Sequence, residues 1–255
     1  MTRAMAVLRI AALLLVGLPV IGFTALRRFV AGKRAAGFPV WFARLVCRII
    51  GVRLVIEGRA PARGPALIAA NHLSWLDIPV LAAATPLAFV GKRDVADWPL
   101  FGVMARLHGS VFVNRERRHS TGPSHDELQE RFMTGDVMVL FPEGTSSDGT
   151  GVLPFKSSFF AAAERQGVSV YPVTIAHVKL EGLPLGPRQR PLFAWYGDMA
   201  MVPHLWGVLQ SGPLSVRLRF HDPLHPADFS SRKVLSQHVE ELIREDLALV
   251  LAGRR

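Results

Sequence analysis

The sequence is poor in cysteine and in acidic residues, and each shortage narrows what the chain can be. Cys47 is the single cysteine among 255 residues, which excludes a small fold held together by disulfides. Asp and Glu total 20 against 30 Lys and Arg, so the formal net charge is +10. Half of the residues are nevertheless hydrophobic, which excludes a disordered chain. The length suits one domain with a small appendage at most.

Several familiar motifs are also missing. The sequence contains no G-x-x-x-x-G-K-[ST], no G-x-G-x-x-G and no H-E-x-x-H, so nothing in it supports the chemistry of those motifs. Residues 144–148 resemble the nucleophile elbow of serine hydrolases but lack its closing glycine. The histidines away from residue 72 show no metal-ligand spacing. We therefore expect neither a metal ion nor another cofactor.

One long apolar run is present, near the N-terminus. Residues 10–26 form 17 uncharged positions between Arg9 and Arg27, and Pro19 is expected to kink a helix there. Such a helix measures about 26 Å, slightly less than a ~30 Å hydrocarbon core. A second, weaker apolar stretch covers residues 35–50. A single strong run excludes a polytopic transporter.

Positive charge surrounds this run on both sides. Residues 1–60 hold ten Lys and Arg and one acid, Glu57. A single membrane span prefers its positive charge on one side, so this pattern favours a hairpin or a flat, half-inserted segment that faces the cytoplasm. No small-residue cleavage site follows the run, which disfavours a cleaved signal peptide. We expect residues 1–50 to be a membrane-anchoring helical segment and residues 51–255 to be the domain that carries the chemistry.

The net charge and the hydrophobic fraction together predict what the chain binds. An anionic membrane surface matches both the charge and the hydrophobicity, whereas nucleic acid matches the charge alone. We therefore expect membrane lipid as a partner and no nucleic acid.

From about residue 52, short apolar runs alternate with helical patterns. This alternation predicts an α/β fold with a sheet flanked by helices. The predicted strands are residues 53–56, 66–70, 110–113, 137–141, 169–176, 193–196 and 214–220, and the predicted helices are 76–84, 124–133, 157–166 and 230–251.

A histidine and an aspartate follow the predicted strand 66–70, where α/β enzymes place reactive groups. Residues five apart do not pair on one straight helix. With His72 in the loop and Asp77 in the first helical turn, however, the carboxylate can fold back onto one imidazole nitrogen and leave the other as a base. No serine or cysteine is paired with His72 in the sequence, so this base would act on a substrate hydroxyl. The alternative is a surface histidine beside an N-capping aspartate.

Two further groups of residues also follow predicted strands. Phe141-Pro142-Glu143-Gly144-Thr145 comes after strand 137–141, and Phe112-Val113-Asn114-Arg115 ends strand 110–113. Proline and glycine are common in tight turns, which is the alternative interpretation of the first group. Both asparagines of the chain, Asn71 and Asn114, stand at strand ends.

Four blocks in this order and spacing resemble the glycerolipid acyltransferase family, which includes lysophosphatidic acid acyltransferase. They are N-H-x-x-x-x-D from residue 71, F-V-N-R from 112, F-P-E-G-T from 141 and V-Y-P-V from 170. The resemblance implies a mixed sheet on a membrane-associated helical base. It implies transfer of a fatty acyl group from acyl carrier protein or acyl-CoA to the hydroxyl of a lysolipid, without a covalent intermediate or a metal.

The resemblance also implies site residues. His72 would be the general base on the acceptor hydroxyl, and Asp77 would orient it and stabilise its charge. Pro172 matches the block on the acyl-donor side. The substrate-binding residues implied are Asn71, Arg115, Glu143, Gly144, Thr145 and Lys156.

One departure from the family pattern concerns the acceptor. Members specific for a phosphate follow F-P-E-G-T with arginine, whereas Ser146 follows here, so a bidentate phosphate partner is missing at this position. Segments 143–149, 153–158, 195–199 and 203–206 resemble the lyso-ornithine lipid O-acyltransferase branch. We predict lyso-ornithine lipid as the acceptor, on the cytoplasmic side of a bacterial inner membrane. The alternatives are 1-acyl-sn-glycerol-3-phosphate, which would yield phosphatidic acid, and a non-catalytic basic membrane-binding module.

Overall fold

A computed structural model describes residues 2–31, 37–92, 101–113 and 123–254. The helices are α1 (Arg3–Ala31), α2 (Val40–Ile50), α3 (Asp77–Ala82), α4 (Phe101–Leu107), α5 (Pro123–Met133), α6 (Ala161–Gln166), α7 (Met201–Gln210) and α8 (Arg232–Leu251). The strands are β1 (Val52–Glu57), β2 (Ala66–Ala70), β3 (Ala88–Lys92), β4 (Val111–Val113), β5 (Val137–Leu140), β6 (Val170–Leu180), β7 (Leu183–Pro184) and β8 (Leu214–Phe220).

The described strands form one eight-stranded mixed sheet in the order β1-β8-β6-β2-β5-β3-β4, with β7 beside β6. Strand β6 runs antiparallel to β8 and β7, and the other neighbours are parallel. Helices pack against both faces. The predicted α/β fold with a mixed sheet flanked by helices is therefore confirmed.

The central strand β2 places the candidate site. All five of its residues are buried, which matches an apolar strand covered on both faces. Ala69 lies opposite Leu140 of β5 on one side and Pro172 of β6 on the other. Because parallel strands end at the same edge of a sheet, the residues after Ala70 and after Leu140 emerge side by side.

Alternate residues of the central strands face two separate cores, as the two-residue period of a strand requires. Ile68 and Val139 face a core that includes residues of α2, α3 and α7. Leu67 and Met138 face a second core that includes residues of α5, α6 and α8. The loops that follow β2 and β5 are thus supported from both sides of the sheet.

Helix α1 is a single helix of 29 residues that continues through Pro19, so the first apolar run does not itself fold into a hairpin. By length and composition it could cross a membrane. One stripe of it, which includes Ala6, Gly17 and Thr24, is buried and packs against α2, α4 and α7. Helix α2 ends at Ile50 and β1 begins at Val52, while the division of the chain at residue 50 stays a prediction.

One predicted strand is wrong. Residues 193–196 follow a short 3₁₀ turn, Arg190–Leu192, and are irregular. Phe193 and Ala194 are buried, so an apolar run here fills the core without joining the sheet. The backbone N–H of Trp195 donates instead to the carbonyl oxygen of Leu73 at 2.8 Å.

Other predicted elements are present with shifted ends. The predicted helix 157–166 is a 3₁₀ turn, Ser157–Phe160, followed by α6, and β6 extends four residues beyond the predicted strand. Strands β3 and β7 and helices α4 and α7 were not predicted. Both β3 and α7 are rich in apolar residues: Ala88, Phe89 and Val90 of β3 and Val208 and Leu209 of α7 are buried.

Candidate active site

His72 and Asp77 meet at the carboxyl end of β2. The His72 Nδ1 and Asp77 Oδ2 atoms are 2.8 Å apart. His72 lies in the loop after β2, and Asp77 is the first residue of α3. The structure therefore contains the predicted contact between the Asp77 carboxylate and the His72 imidazole.

The hydrogen bonds of Asp77 determine which tautomer of His72 can pair with it. Its side chain is fully buried, and Oδ2 also accepts hydrogen bonds from the backbone N–H groups of Leu73 at 2.8 Å and Ser74 at 3.0 Å. Because backbone N–H groups can only donate, Oδ2 is an acceptor towards all three of its neighbours. The imidazole then donates its Nδ1–H to Asp77, which leaves the lone pair on Nε2 available as a base.

The ring of His72 is held on its other side by Phe141, the residue after β5. The two rings are stacked, with centroids 4.0 Å apart and planes 13° apart. The His72 side chain keeps 19% of its surface exposed, so the ring is fixed and still reachable by a substrate. Among the described residues, no serine or cysteine side chain hydrogen-bonds this ring, so the geometry is that of a base without a protein nucleophile.

Glu143 joins the two loops of the site through its carboxylate. Oε1 accepts from the backbone N–H of His72 at 2.6 Å, and Oε2 accepts from the backbone N–H of Leu153 at 2.8 Å. Only 3% of the residue is exposed. Burial raises the pKa of Glu143 to about 7, against the opposing effect of these two hydrogen bonds. The observed contacts of Glu143 are structural, and substrate binding by Glu143 stays a prediction.

Asn71 is fully buried and ties β2 to β6. Its Nδ2 donates to the carbonyl oxygen of Ile175 at 2.9 Å, and its Oδ1 accepts from the N–H of Ile175 at 2.8 Å. The amide thus continues the sheet pairing one step beyond Ala70. Its contact with substrate stays a prediction.

Gly144, Thr145 and Lys156 surround the mouth of the site. Gly144 has φ +77°, and a Cβ added there would stand 2.7 Å from Lys156 Nζ. Thr145 and Lys156 are both exposed. The structure therefore brings an ammonium group next to the F-P-E-G-T turn. Arg115, the other predicted cation, lies outside the described residues.

Ser146, the residue that departs from the phosphate-specific pattern, points to a neighbouring segment. Its hydroxyl donates to the carbonyl oxygen of Trp195. The same segment is tied to the loop after His72 by the bond from Trp195 N–H to Leu73 O. Residues 193–199 thus form one wall of the site, a role that the strand prediction for 193–196 concealed.

Two histidines close to Asp77 were not assigned a role from the sequence. His177 on β6 and His204 on α7 lie far from residue 77 along the chain, and only the folded structure brings them near it. Within the described ranges, no group of three or more His, Cys, Asp and Glu side chains could hold a metal ion.

Comparisons with known proteins agree with this geometry. The family model described as Acyltransferase matches residues 51–176, the stretch that contains β2, β5 and the His72–Asp77 pair. The solved structure of the 1-acyl-sn-glycerophosphate (LPA) acyltransferase of Thermotoga maritima superposes with a TM-score of 0.67, covers 96% of this chain and 94% of that one, and is 23% identical. That likeness shows the same fold.

Two relatives extend the match over most of the chain. The lyso-ornithine lipid O-acyltransferase of Brucella abortus is 41% identical over 223 residues, which are 85% of this chain and 84% of the relative. The 1-acyl-sn-glycerol-3-phosphate acyltransferase of Neisseria meningitidis serogroup B is 32% identical over 71% of this chain and 69% of the relative. With the four sequence blocks, the His72–Asp77 pair and these matches together, the chain belongs to the acyltransferase family and is an enzyme that transfers acyl groups to lysolipid acceptors.

Proposed function

We propose that the chain is a lyso-ornithine lipid O-acyltransferase in which His72 is the general base and Asp77 its orienting partner. The observation that carries the proposal is the 2.8 Å contact between His72 Nδ1 and a carboxylate that is fully buried. General-base catalysis by a positioned side chain contributes roughly 10²–10⁴-fold to the reaction rate.

The proposed reaction has two proton transfers. The Nε2 of His72 removes the proton from the acceptor hydroxyl as its oxygen attacks the thioester carbonyl, and Asp77 stabilises the imidazolium that forms. Collapse of the tetrahedral intermediate breaks the carbon–sulfur bond, and His72 returns the proton to the leaving thiolate. The products are the ester and the free thiol, and the enzyme is regenerated without an acyl-enzyme.

The acceptor assignment rests on Ser146 and on the relatives. The Ser146 hydroxyl is engaged with Trp195 O, so this position offers no guanidinium for a phosphate. Relatives from Brucella abortus and Rhizobium meliloti, both named lyso-ornithine lipid O-acyltransferases, are 41% and 40% identical to this chain. The second candidate is 1-acyl-sn-glycerol-3-phosphate, which is favoured by the ammonium of Lys156 beside Gly144.

An acyl-transfer assay on membranes that contain the protein separates the two acceptors. Labelled acyl carrier protein and labelled acyl-CoA are each offered with lyso-ornithine lipid or with lysophosphatidate, and His72→Ala provides the blank. We expect product from lyso-ornithine lipid that His72→Ala abolishes. Product from lysophosphatidate alone would overturn the acceptor assignment, and equal product from wild type and His72→Ala would overturn the role of His72.

Ser146→Arg tests the specificity argument within the same assay. It introduces the side chain found in phosphate-specific members, and Ser146→Ala is its matched control because it removes the hydroxyl without adding charge. We expect the ratio of lysophosphatidate to lyso-ornithine turnover to rise in the arginine variant only. An equal ratio in both variants would show that position 146 does not select the head group.

We further propose that α1 lies half-immersed in the cytoplasmic leaflet of the inner membrane. Its buried stripe extends from Ala6 to Thr24, and its two ends are fastened to the domain: Arg9 donates to the carbonyl oxygens of Leu209 and Ser211 at 2.9 and 3.0 Å, and Arg28 donates to that of Arg106 at 2.8 Å. These contacts favour a helix that lies against the domain over one that crosses the bilayer independently of it. Its outer face, with Leu15 77% and Phe29 87% exposed, is apolar and suits the acyl boundary.

Charged substitutions on the outer face test this orientation. We expect Leu15→Glu and Phe29→Glu to weaken binding to vesicles that contain anionic lipid. Thr2→Glu, at an exposed position before the helix, is the control for the added charge. Extraction of wild type by alkaline carbonate would support the half-immersed helix, and full resistance to it would support a span instead.

A further inference from the structure

The loop that follows β5 lies against the loop that carries His72. The backbone N–H of Ser147 donates to the carbonyl oxygen of His72 at 2.8 Å, and the Ser147 hydroxyl donates to the same oxygen at 3.2 Å. A Cβ added at Gly149 would stand 2.9 Å from Leu73 Cδ2. Asp148 lies between these two contacts. Because consecutive Cα atoms are about 3.8 Å apart, its backbone is held beside the residues that carry the proposed base.

The carboxylate of Asp148 reaches the surface at this place. Ser147 and Gly149 are buried, whereas Asp148 is half-buried. Its Oδ1 accepts hydrogen bonds from the N–H of Thr150 at 2.9 Å and from the Thr150 hydroxyl at 2.7 Å. Within the described residues, no Lys, Arg or His forms an ion pair with Asp148. The carboxylate is thus oriented by its own turn and keeps its negative charge for a ligand.

An ammonium group belongs to the same loop. The backbone N–H of Lys156 donates to the carbonyl oxygen of Pro142 at 3.0 Å, which returns the end of the loop to its start. A Cβ added at Gly144 would have Lys156 Nζ as its nearest neighbour, at 2.7 Å. Lys156 is exposed, and no carboxylate of the described chain forms an ion pair with it. The loop therefore presents one cation and one anion that are not paired with each other.

A zwitterionic head group matches these two charges. Ornithine that is acylated on one of its two nitrogens keeps a carboxylate and one amine. This amine is protonated at pH 7, because its pKa is close to that of a lysine side chain. A phosphate monoester carries negative charge only, so a carboxylate beside it is repulsive.

We propose that Asp148 is an acceptor-binding residue that pairs with the ammonium of a zwitterionic head group, while Lys156 pairs with the carboxylate of the same head group. This pairing rests on the proposed function, because it concerns the same acceptor. Asp148 selects against lysophosphatidate by repulsion, in addition to the missing guanidinium at Ser146. The contacts of Ser147 and Gly149 hold Asp148 at a fixed place relative to the loop that carries His72.

Asp148→Asn tests the pairing from the side of the protein. The asparagine lacks the charge and keeps an oxygen for the two Thr150 donors. With the detergent-solubilised full chain, we expect the KM for lyso-ornithine lipid to rise about threefold to fivefold, as for the loss of a partly exposed ion pair, while kcat stays close to that of the wild type. The KM for lysophosphatidate should stay the same or fall, because a repulsive charge is removed.

Lys156→Gln has a different expected pattern. Both acceptors carry a negative group, so this variant should raise the KM for lyso-ornithine lipid and for lysophosphatidate. The two variants therefore separate recognition of the ammonium from recognition of the anion. A KM raised for both acceptors alike in Asp148→Asn would indicate a disturbed loop and would overturn the pairing with the ammonium.

The matched control is Asp222→Asn, which removes the same charge at the opposite edge of the sheet. Asp222 is exposed and lies near Leu224, which pairs with Val170 at the start of β6. The active site instead follows the carboxyl end of β2, which is parallel to β6. We expect wild-type KM values for both acceptors. An equal rise in the KM for lyso-ornithine lipid in Asp222→Asn would show a general effect of net charge and would overturn the proposal.

Acetylation of the acceptor amine tests the same pairing from the side of the ligand and needs no variant. The acetylated lyso-ornithine lipid keeps the reacting hydroxyl and the carboxylate but has no ammonium. We expect its KM with wild type to be raised by the factor seen for Asp148→Asn, and Asp148→Asn should use both forms of the acceptor equally well. Equal KM values for the two forms with wild type, or losses that add in the variant, would overturn the pairing.

The proposed function fails by a different result. Absence of lyso-ornithine turnover by wild type would overturn the acceptor assignment and this pairing together. Turnover by wild type with an unchanged KM in Asp148→Asn would overturn the pairing alone and leave the acceptor assignment in place.

Discussion

Replacing Asp77 with asparagine removes the charge from the carboxylate and keeps its shape. Oδ2 accepts from His72 Nδ1 and from the N–H groups of Leu73 and Ser74 within 3.0 Å. The amide oxygen of an asparagine will keep the two backbone donors. The bond from His72 Nδ1–H then loses its charged acceptor, and the imidazolium that forms during the reaction loses its counter-charge.

The expected cost follows from these contacts. A hydrogen bond to a charged group contributes about 1.5–3 kcal/mol, and an imidazolium left without its buried counter-charge adds a similar amount. The sum of about 3–6 kcal/mol corresponds to a fall in kcat of roughly 10²–10⁴-fold. Because the backbone donors remain satisfied, the variant is expected to fold and to bind membranes as the wild type does.

The assay is acyl transfer to detergent-solubilised acceptor at saturating donor, with unfolding followed on the same samples. Asp246→Asn is the matched control, because Asp246 is likewise buried, at 3% exposed, and is paired with Arg219 at 2.7 Å and His221 at 3.7 Å. That variant should lose stability and keep kcat. A kcat for Asp77→Asn within about tenfold of wild type, a barrier change under about 1.4 kcal/mol, would refute the reasoning.

Three further substitutions test the scaffold around the pair. Burial raises the pKa of Glu143 to about 7, so between pH of about 4.5 and about 7 the folded state keeps a proton that the unfolded state releases, and Glu143 destabilises the fold as the pH rises through this range. The unfolding midpoint of Glu143→Gln should therefore fall less over this range than that of the wild type. Parallel curves of midpoint against pH for the two proteins would contradict this. Gly144→Ala should lower the free energy of unfolding by about 1–2 kcal/mol because φ is +77°. Adding Lys156→Ala should restore only the part of this loss that comes from contact between the new methyl group and the Lys156 side chain. Asn71→Leu should cost about 2–4 kcal/mol in chemical unfolding because the N–H and C=O of Ile175 both lose their partner, and a loss below 1 kcal/mol would contradict this.

The His72–Asp77 contact could be predicted because it is local. Both residues belong to one loop and the first turn of one helix, so strand end, spacing and side-chain chemistry determine the contact. The link from Glu143 to the N–H of His72 depends on β5 lying beside β2, and a single sequence does not give strand order.

The wrong strand at residues 193–196 has a related cause. An apolar run predicts burial, and both Phe193 and Ala194 are buried, but burial does not say which backbone groups will pair. His177 and His204 were missed for the same reason. His177 lies on β6, His204 on α7 and Asp77 on α3, and these three elements meet only in the folded chain.

The fastening of α1 at Arg9 and Arg28 has a consequence for lipid geometry. In the orientation proposed for α1, a helix bound to the domain at both ends holds the catalytic edge of the sheet at one fixed depth and tilt relative to the lipid surface. The reacting hydroxyl of a lysolipid must therefore come to a set height in one leaflet, and the new ester is left in that leaflet.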